Sequence, residues 1–375
     1  MDKMPQWADV LLVPLISLLL AALLSALVIL GIGENPIEAL GYMIEGAFGS
    51  SQGISYTLYY MTSFVFTGLA VAVAFHASLF NIGGEGQATL GGLGVALVCL
   101  ALPWPHWTVA LPAAIIGGAL FGAGWALIPA YLQAKRGSHI VITTIMFNYI
   151  AFALIIYLLN NGLKPVGQME SSSARFAEGA HLPTLEDMAA LIGIEAFERA
   201  PANISLFLAL LAAYGVWLLL WRTPLGYEIR AYGKSEPAGR YAGISPTKIT
   251  MITMLISGAL AGLMAINTVM GEAERLVNNS VQNAGFIGIA VALMGRSHPV
   301  GILLAALLFG FLVQGGAELA FWTSIPTELI IVIQALVILF TGALDNMVRM
   351  PVEAFYSRRA LRQTSKPQPP ATAAE

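Results

Sequence analysis

VAVAFHASLFNIGGEGQATLGGLGVALVCL, Val71–Leu100, joins two apolar runs through a short polar stretch, FNIGGEGQ (Phe80–Gln87). The polar stretch holds two amides, one carboxylate and three glycines, Gly83, Gly84 and Gly86. Three glycines in four positions disfavour a regular helix, since each costs about 1 kcal/mol relative to alanine. The segment therefore predicts apolar helices that are interrupted by a polar break.

The composition of the whole chain indicates a membrane protein. Of its 375 residues, 57% are hydrophobic and only 10% are charged, whereas an average soluble domain has about 25% charged residues. Five stretches without Asp, Glu, Lys or Arg are each at least as long as the ~20 residues that cross the hydrocarbon core. We predict an all-α integral membrane protein, a polytopic bundle of about ten transmembrane helices. The predicted spans are 10–31, 55–79, 86–103, 108–132, 140–161, 203–221, 249–269, 282–295, 300–317 and 325–344.

The distribution of basic residues predicts the orientation. With the amino terminus in the cytoplasm, only four of the 18 basic residues fall in outer loops. These four are Lys164, Arg175, Arg199 and Arg275. The positive-inside rule selects this orientation over its inverse. We predict a multi-pass protein of the bacterial plasma (inner) membrane with both termini in the cytoplasm.

The spans predict a single transmembrane domain over residues 1–348. It carries an outer loop at 162–202 and a cytoplasmic loop at 222–248. The remaining segment, 349–375, is basic and rich in Pro and Ala, which is typical of a disordered tail. The short span 282–295 contains two glycines, and the sequence leaves open whether it crosses fully or is re-entrant.

Two local patterns predict details of packing. Gly118–Gly122 and Gly258–Gly262 have GxxxG spacing, which lets helices approach closely in membranes. Thr184–Asp187 resembles a capping box with Asp in place of Glu or Gln, and predicts a short amphipathic helix in the outer loop. Whether that helix covers the bundle or docks a partner stays open.

The cytoplasmic loop RTPLGYEIRAYGKSEPAGRYAGISPTKI, Arg222–Ile249, predicts a short helix. Ser235 can cap its start, and Pro237 fits a first turn, where a missing N–H costs nothing. Gly243 suits the left-handed residue that follows a helix end. We predict a helix near 236–242, lying against the membrane. Taken alone, the loop is equally consistent with a basic connection that only sets the topology.

The sequence does not indicate an enzyme. Gly233-Lys234-Ser235 ends like the phosphate-binding loop GxxxxGK[ST], but Glu228 stands where the first glycine is required, and no buried strand precedes it. The five histidines are scattered, and no HExxH motif occurs. We predict no catalytic site, no cofactor, no metal site and no nucleic-acid partner.

The polar break itself has two interpretations. Broken backbone at membrane depth persists only where it is buried in protein or lines a watery cavity. FNIGGEGQ therefore predicts either a discontinuous helix on a substrate path or a tight turn at the inner surface. Glu85 alternatively caps a broken helix end, and a lone Asn within a span is more often an interhelical hydrogen bond than a ligand. The candidate path residues are Asn81, Gly83, Gly84, Glu85, Gly86, Gln87, Asn148 and Asn267.

These motifs resemble those of a known family. FNIGGEGQ resembles a motif of permease subunits of ABC importers of the branched-chain amino acid, ribose and nucleoside type. The NIGxEGQ form is most similar to the branch that imports nucleosides and related purine compounds. ISGALAGLMAI, 256–266, is similar to the helix after the family's cytoplasmic coupling segment, although the family often has paired alanines where Ala238-Gly239 stands. The coupling segment itself is matched by Gly226-x3-Arg230-Ala231-x-Gly233-x4-Ala238-x4-Gly243-Ile244.

The resemblance implies a translocation path for a nucleoside or a related small polar solute. Separate cytoplasmic ATP-binding subunits would drive it, an extracytoplasmic binding lipoprotein would feed it, and a second permease chain, identical or paralogous, would complete the pore. The alternatives are an ion-gradient-driven secondary transporter and an ABC permease for a simple sugar. The residues implied in coupling to the ATPase are Gly226, Arg230, Ala231, Gly233, Lys234, Pro237, Ala238, Arg240, Gly243 and Ile244.

Overall fold

The computed structural model describes residues 12–191, 193, 200–323, 325–343, 347, 349–352 and 354. The predicted tail lies outside these residues from residue 355 onward. The helices are α1 (Val13–Ile32), α2 (Pro36–Phe48), α3 (Ser51–His76), α4 (Gly84–Ala101), α5 (Trp107–Arg136), α6 (Ile140–Leu158), α7 (Leu185–Leu191), α8 (Ser205–Arg222), α9 (Pro224–Lys234), α10 (Glu236–Tyr241), α11 (Pro246–Ala265), α12 (Ala284–Met294), α13 (Pro299–Trp322) and α14 (Thr327–Ile338).

Three helices continue as wider, π-type turns. These turns are Leu159–Leu163 after α6, Ile266–Glu272 after α11 and Leu339–Ala343 after α14. With these extensions, eight helices of the described part are long and apolar enough to cross a membrane, and α12 and α14 are shorter apolar helices. The all-α polytopic fold and the ten predicted apolar segments are therefore confirmed.

The predicted span 282–295 corresponds to the shortest of these apolar segments. α12 has 11 residues, or about 16 Å at about 1.5 Å per residue. This length is about half of the ~30 Å hydrocarbon core. α12 therefore has the dimensions of a half-helix.

Two helices lie outside the predicted set. α2 begins at Pro36, between the predicted spans 10–31 and 55–79. α9 begins at Pro224, and the side chain of Thr223 accepts a hydrogen bond from the Gly226 N–H over 3.1 Å. A capping Thr followed by Pro is a helix-start signal, so α9 could have been predicted from this pair.

The short helices at both ends of the bundle follow their predicted caps. Ser235 caps α10 by accepting from the Ala238 N–H over 3.4 Å, and Gly243 has φ +82° after the helix end. In the outer loop, Thr184 and Asp187 exchange capping hydrogen bonds at the start of α7. The predicted helix near 236–242 and the predicted capping box are both confirmed.

The described residues divide into two compact units, those up to residue 37 together with those from residue 325, and those from 38 to 323. In the first unit α1 packs against α14. In the second unit α3 packs against α11, α12 and α13, while α4 and α5 pack against α11. α3 and α4 are mostly buried along their length, as expected for helices that are apolar on all sides.

Glycines form the contact between α4, α5 and α11. A Cβ added at Gly262 of α11 would lie 2.2 Å from the carbonyl oxygen of Gly118, and one added at Gly91 of α4 would lie 2.3 Å from the Cα of Gly262. Both distances are shorter than the 3.0 Å that real Cβ atoms respect. Both GxxxG motifs therefore serve close helix packing within this chain.

We expect Gly122→Ala to destabilise the protein. The added methyl would lie 2.3 Å from the Gly258 carbonyl oxygen, and overpacking of this kind costs about 1–3 kcal/mol. The measurement is thermal unfolding of the detergent-purified chain, followed by tryptophan fluorescence. Gly124→Ala on the same helix is the control, because its methyl would meet nothing within 4 Å. Equal melting temperatures for the two variants would contradict the close contact.

Candidate functional site

The FNIGGEGQ stretch spans the end of a non-helical connection and the first turn of α4. α3 ends at His76, residues 77–83 are not helical, and α4 begins at Gly84. The side chains of Asn81, Glu85 and Gln87 are each 1% exposed. The break therefore ends at Gly83, whereas the sequence predicted it across Phe80–Gln87; Asn81 lies in the break, and Glu85 and Gln87 lie on the first turn of α4.

Asn81 is the centre of one hydrogen-bond network. Its amide nitrogen donates to Gln87 Oε1 and to Ser257 Oγ, both over 2.9 Å. Its amide oxygen accepts from the Gly83 N–H over 2.9 Å and from Gln87 Nε2 over 3.1 Å. Ser257 Oγ in turn donates to the Ala70 carbonyl over 2.6 Å. The network joins the non-helical connection to α3, α4 and α11.

Asn148 of α6 holds the same connection from another side. Its Oδ1 accepts from the Gly86 N–H over 2.8 Å, and its Nδ2 donates to the Ile82 carbonyl over 2.9 Å. A Cβ at Gly86 would lie 2.8 Å from Asn148 Oδ1, so glycine permits this approach. Asn148 is eight residues from the start of α6 at Ile140, or about 12 Å along the helix axis.

Glu85 caps the start of α12. Its Oε1 accepts from the Asn283 N–H over 2.9 Å, and its Oε2 accepts from the Gly285 N–H over 2.8 Å. A carboxylate at a helix N-terminus satisfies unpaired N–H groups and complements the helix dipole. The interpretation of Glu85 as a helix cap is confirmed.

Asn267 belongs to a second network, on the π-type turns after α11. Its amide nitrogen donates to the Tyr59 carbonyl and to Ser63 Oγ, both over 2.9 Å. Its oxygen accepts from Asn203 Nδ2 and from Ser205 Oγ, both over 3.0 Å. Asn267 therefore links α3, α8 and the extension of α11, as lone Asn residues within spans commonly do.

The structure thus brings most predicted path residues together in one junction and places Asn267 in another. The junction contains Asn81, Gly83, Gly84, Glu85, Gly86, Gln87 and Asn148. Ser257 and Asn203, two further members of the networks, were not predicted. Short polar residues inside apolar spans are the signal that could have identified them.

We expect Glu85→Gln to destabilise the bundle, because an amide offers only one acceptor oxygen to the two N–H groups of α12. A buried donor left without a partner costs about 1–3 kcal/mol. Thermal unfolding of the purified chain measures the loss, and Glu178→Gln, at an exposed carboxylate, is the control. A melting temperature of Glu85→Gln equal to that of the wild type would contradict the capping role.

α9 presses glycines against the ends of two long helices. A Cβ at Gly226 would lie 2.0 Å from the Leu219 carbonyl oxygen of α8, and a Cβ at Gly233 would lie 2.1 Å from the His76 carbonyl oxygen of α3. Ser78 Oγ also donates to the Gly233 carbonyl over 2.6 Å. These contacts give a physical reason for two glycines of the coupling pattern.

Arg230 of α9 lies over an aromatic ring of the bundle. Its guanidinium carbon is 5.9 Å from the centre of the Trp221 ring, within the range of a cation–π interaction. The Trp221 ring is 5.3 Å from the His76 ring and 5.0 Å from the His298 ring, and His76 Nε2 is 3.1 Å from the Ser297 carbonyl oxygen. Arg230 therefore connects α9 to α3, α8 and the turn before α13.

α10 packs on α9 and leaves its polar side exposed. Gly239 is buried, and a Cβ there would lie 3.3 Å from the Tyr232 Cα, so glycine eases this contact. Burial raises the pKa of the Tyr232 hydroxyl, which therefore stays protonated at neutral pH. Arg240 and Glu236 form an ion pair with a separation of 2.6 Å. Tyr241, which was not predicted, is 97% exposed.

The remaining coupling candidates divide between the surface and the interior. Ala231 is half-buried and Ile244 is buried, while Gly243 provides the left-handed turn. The exposed candidates are Lys234, Pro237, Ala238 and Arg240.

The opposite end of the bundle is held by ion pairs. Arg175 pairs with Glu274, and Arg275 pairs with Glu170 over 3.2 Å. His181 Nδ1 lies 3.3 Å from Glu274. These contacts attach the outer loop to the segment that follows the π-type turns of α11.

Residues 53–342 match the family model described as "Branched-chain amino acid transport system / permease component". The chain is 35% identical to the "Guanosine ABC transporter permease protein NupP" of Bacillus subtilis, covering 89% of this chain and 93% of that protein. It is 35% identical to the "Nucleoside ABC transporter permease protein NupB" of Lactococcus lactis, covering 88% and 90%. It is 31% identical to the "Glucose ABC transporter permease protein TsgB13" of Haloferax volcanii, covering 92% and 90%. No solved structure matches.

Proposed function

Because the chain belongs to the family of permease components of the branched-chain amino acid transport system, we propose that it imports nucleosides as a subunit of an ABC transporter. It is a multi-pass membrane subunit and not an enzyme, and ATP hydrolysis belongs to a separate subunit. The nucleoside assignment is carried by the similarity, over about nine-tenths of the chain, to permeases named for guanosine and nucleosides. A simple sugar is the second candidate, because the relative named for glucose is 31% identical.

The proposed path includes the junction around FNIGGEGQ. Asn81, Gln87 and Asn148 carry amides that both donate and accept hydrogen bonds, as the hydroxyls and ring nitrogens of a nucleoside require. In the conformation described here these amides bond to each other and to backbone groups. Opening of the path would exchange these internal bonds for bonds to the solute.

The proposed coupling site is the exposed side of α10 together with the end of α9. Lys234, Arg240 and Tyr241 are exposed there and are the proposed contacts of the ATP-binding subunit. A push on this surface would reach α3 through Gly233 and Ser78, and the turn before α13 through the Trp221 ring. Arg230 contributes by holding α9 onto that ring.

The proposed orientation places α9 and α10 in the cytoplasm. The start of the α3–α4 connection, α9 and the α12–α13 turn meet at one end of the bundle, as the positive-inside topology requires. Both termini would then be cytoplasmic. A substrate-binding protein would approach the other end, and a second permease chain, identical or paralogous, would complete the pore.

Reconstitution tests the function directly. The chain, its partner permease and the ATP-binding subunit are placed in proteoliposomes, and uptake of labelled guanosine is measured with the binding protein. We expect uptake that requires ATP and the binding protein, with no uptake by the permease alone under a proton or sodium gradient. Gradient-driven uptake by the isolated chain would contradict the ABC assignment, and preference for glucose would replace the nucleoside assignment.

We expect Gly233→Val to uncouple the motor from transport. The new side chain would collide with the backbone of His76 and displace α9 from α3, so ATP hydrolysis should continue while guanosine uptake falls about tenfold or more. Gly215→Val is the matched control, since a Cβ at this glycine of α8 meets nothing within 4 Å. Parallel loss of hydrolysis and uptake, or loss of neither, would contradict the proposed route of force. The fold-change corresponds to at least ~1.4 kcal/mol of lost coupling.

A further inference from the structure

A small cavity lies between α3, the π-type turns after α11 and the start of α12. Its volume is about 100 Å³, and its lining combines aromatic rings with hydroxyl and amide groups. It adjoins the Asn267 network, because Ser63 belongs to both. The polar and aromatic side chains of the lining include Tyr60, Ser63, Phe64, Thr268, Ser280 and Gln282.

Thr268 gives the cavity an unpaired buried hydroxyl. The residue is 3% exposed, and its Oγ1 has no hydrogen-bond partner among the residues that the structure describes. Asn267, its neighbour on the same π-type turns, uses both of its donors and its acceptor on protein groups. Buried hydroxyls are rarely left unpaired in proteins, and the Thr268 hydroxyl is available to bond a ligand or a water in the cavity.

The charge of the site favours a neutral ligand. All residues that line the cavity are uncharged. Ala284, at the start of α12, is among them, and a free helix N-terminus would attract an anion. Glu85 already accepts hydrogen bonds from the N–H groups of Asn283 and Gly285 at this terminus. The site therefore disfavours a phosphate, and a neighbouring carboxylate, Glu272, already accepts a hydrogen bond from the lining Tyr59 hydroxyl over 3.0 Å.

The aromatic side of the cavity favours a planar ring. Tyr60 and Phe64 are one helical turn apart on α3, with ring centres 6.5 Å apart and planes inclined by 20°. Aromatic faces stack on nucleobases with little regard to which base is present, because every base has a π face. A hydroxyl beside such a face can bond to a heteroatom at the ring edge.

We propose that this cavity is a subsite of the translocation path that takes the base of a nucleoside, with the ring against Tyr60 and Phe64 and a ring heteroatom on Thr268. The inference rests on the proposed function and adds a base-recognition site to it. A volume of about 100 Å³ is that of about three water molecules, well below the ~300 Å³ of a pocket that encloses a whole small ligand. In this conformation the cavity is therefore smaller than a purine base, and the helices around it must separate to admit the base.

The test uses the complete transporter in proteoliposomes, with guanosine as the probe. Thr268→Val removes the hydroxyl at nearly constant shape, and Tyr60→Leu removes the ring. We expect each to lower the maximal rate of ATP-driven guanosine uptake about three- to tenfold, which is the range of one polar contact for Thr268→Val and the lower range of one base–aromatic stack for Tyr60→Leu. The half-saturating concentration should not change, because the external binding protein sets it. Thr268→Ser should recover most of the rate.

Thr62→Val is the matched control. This substitution also replaces a threonine by a valine, on α3. The Thr62 hydroxyl donates to the Leu58 carbonyl, and Thr62 does not line the cavity. Wild-type maximal rates in Thr268→Val and Tyr60→Leu would overturn the subsite. Absence of ATP-driven guanosine uptake by the wild-type transporter would instead overturn the proposed function, so the two failures are distinguishable.

Thiol labelling decides the same question if Thr268→Val or Tyr60→Leu fails to assemble. Cys99 is the single cysteine of the chain and is buried, so Ser280→Cys in a Cys99→Ala background gives one reactive position at the cavity. Guanosine present during turnover should slow modification of the introduced thiol by a small methanethiosulfonate reagent, and ribose should not. Equal labelling rates with and without guanosine, in a transporter that imports guanosine, would overturn the proposal.

Discussion

Every backbone N–H and carbonyl inside the membrane must find a partner within the protein, because lipid provides none. The chain leaves the helical hydrogen-bond pattern after His76 and resumes it at Gly84, and a second set of N–H groups is left unpaired where α12 begins. Asn81, Asn148 and Glu85 supply those partners. This requirement explains why amides and a carboxylate stand in an apolar sequence, and it fixes α4, α6, α11 and α12 around one junction.

Glycines mark the positions where neighbouring helices approach each other most closely. Gly262 allows three helices to touch through their backbones, and Gly233 allows the loop helix α9 to rest directly on the end of α3. Backbone-to-backbone contacts are hardly compressible, because protein interiors are close-packed and transmit strain. A displacement of α9 would therefore be passed to α3 with little loss. The proposed coupling depends on this stiffness more than on the charges of the exposed surface.

The apolar runs of the sequence were sufficient to predict the eight long apolar helices and the two shorter ones of the described residues, and the caps at Ser235 and Thr184 predicted two short helices. α9 was not predicted, because the interpretation of the basic loop used Ser235, Pro237 and Gly243 and did not consider the helix-start pair Thr223-Pro224. The partners of the polar residues could not be predicted from one sequence, since Asn81 meets Ser257 across 176 positions and Glu85 meets Asn283 across 198. The spacing of neighbouring residues along one sequence does not show which distant residues meet in the fold. The cap role of Glu85 was anticipated only as one of two alternatives.

The Asn81 network also affects ion leakage across the bacterial membrane. Its donors and acceptors are already matched with one another, so water molecules would gain little by entering and would have to break existing bonds to form a continuous file. Protons and sodium ions cross proteins along such files of water. A resting permease with this junction intact would therefore not short-circuit the electrochemical gradient, even though amides and a carboxylate interrupt its apolar sequence.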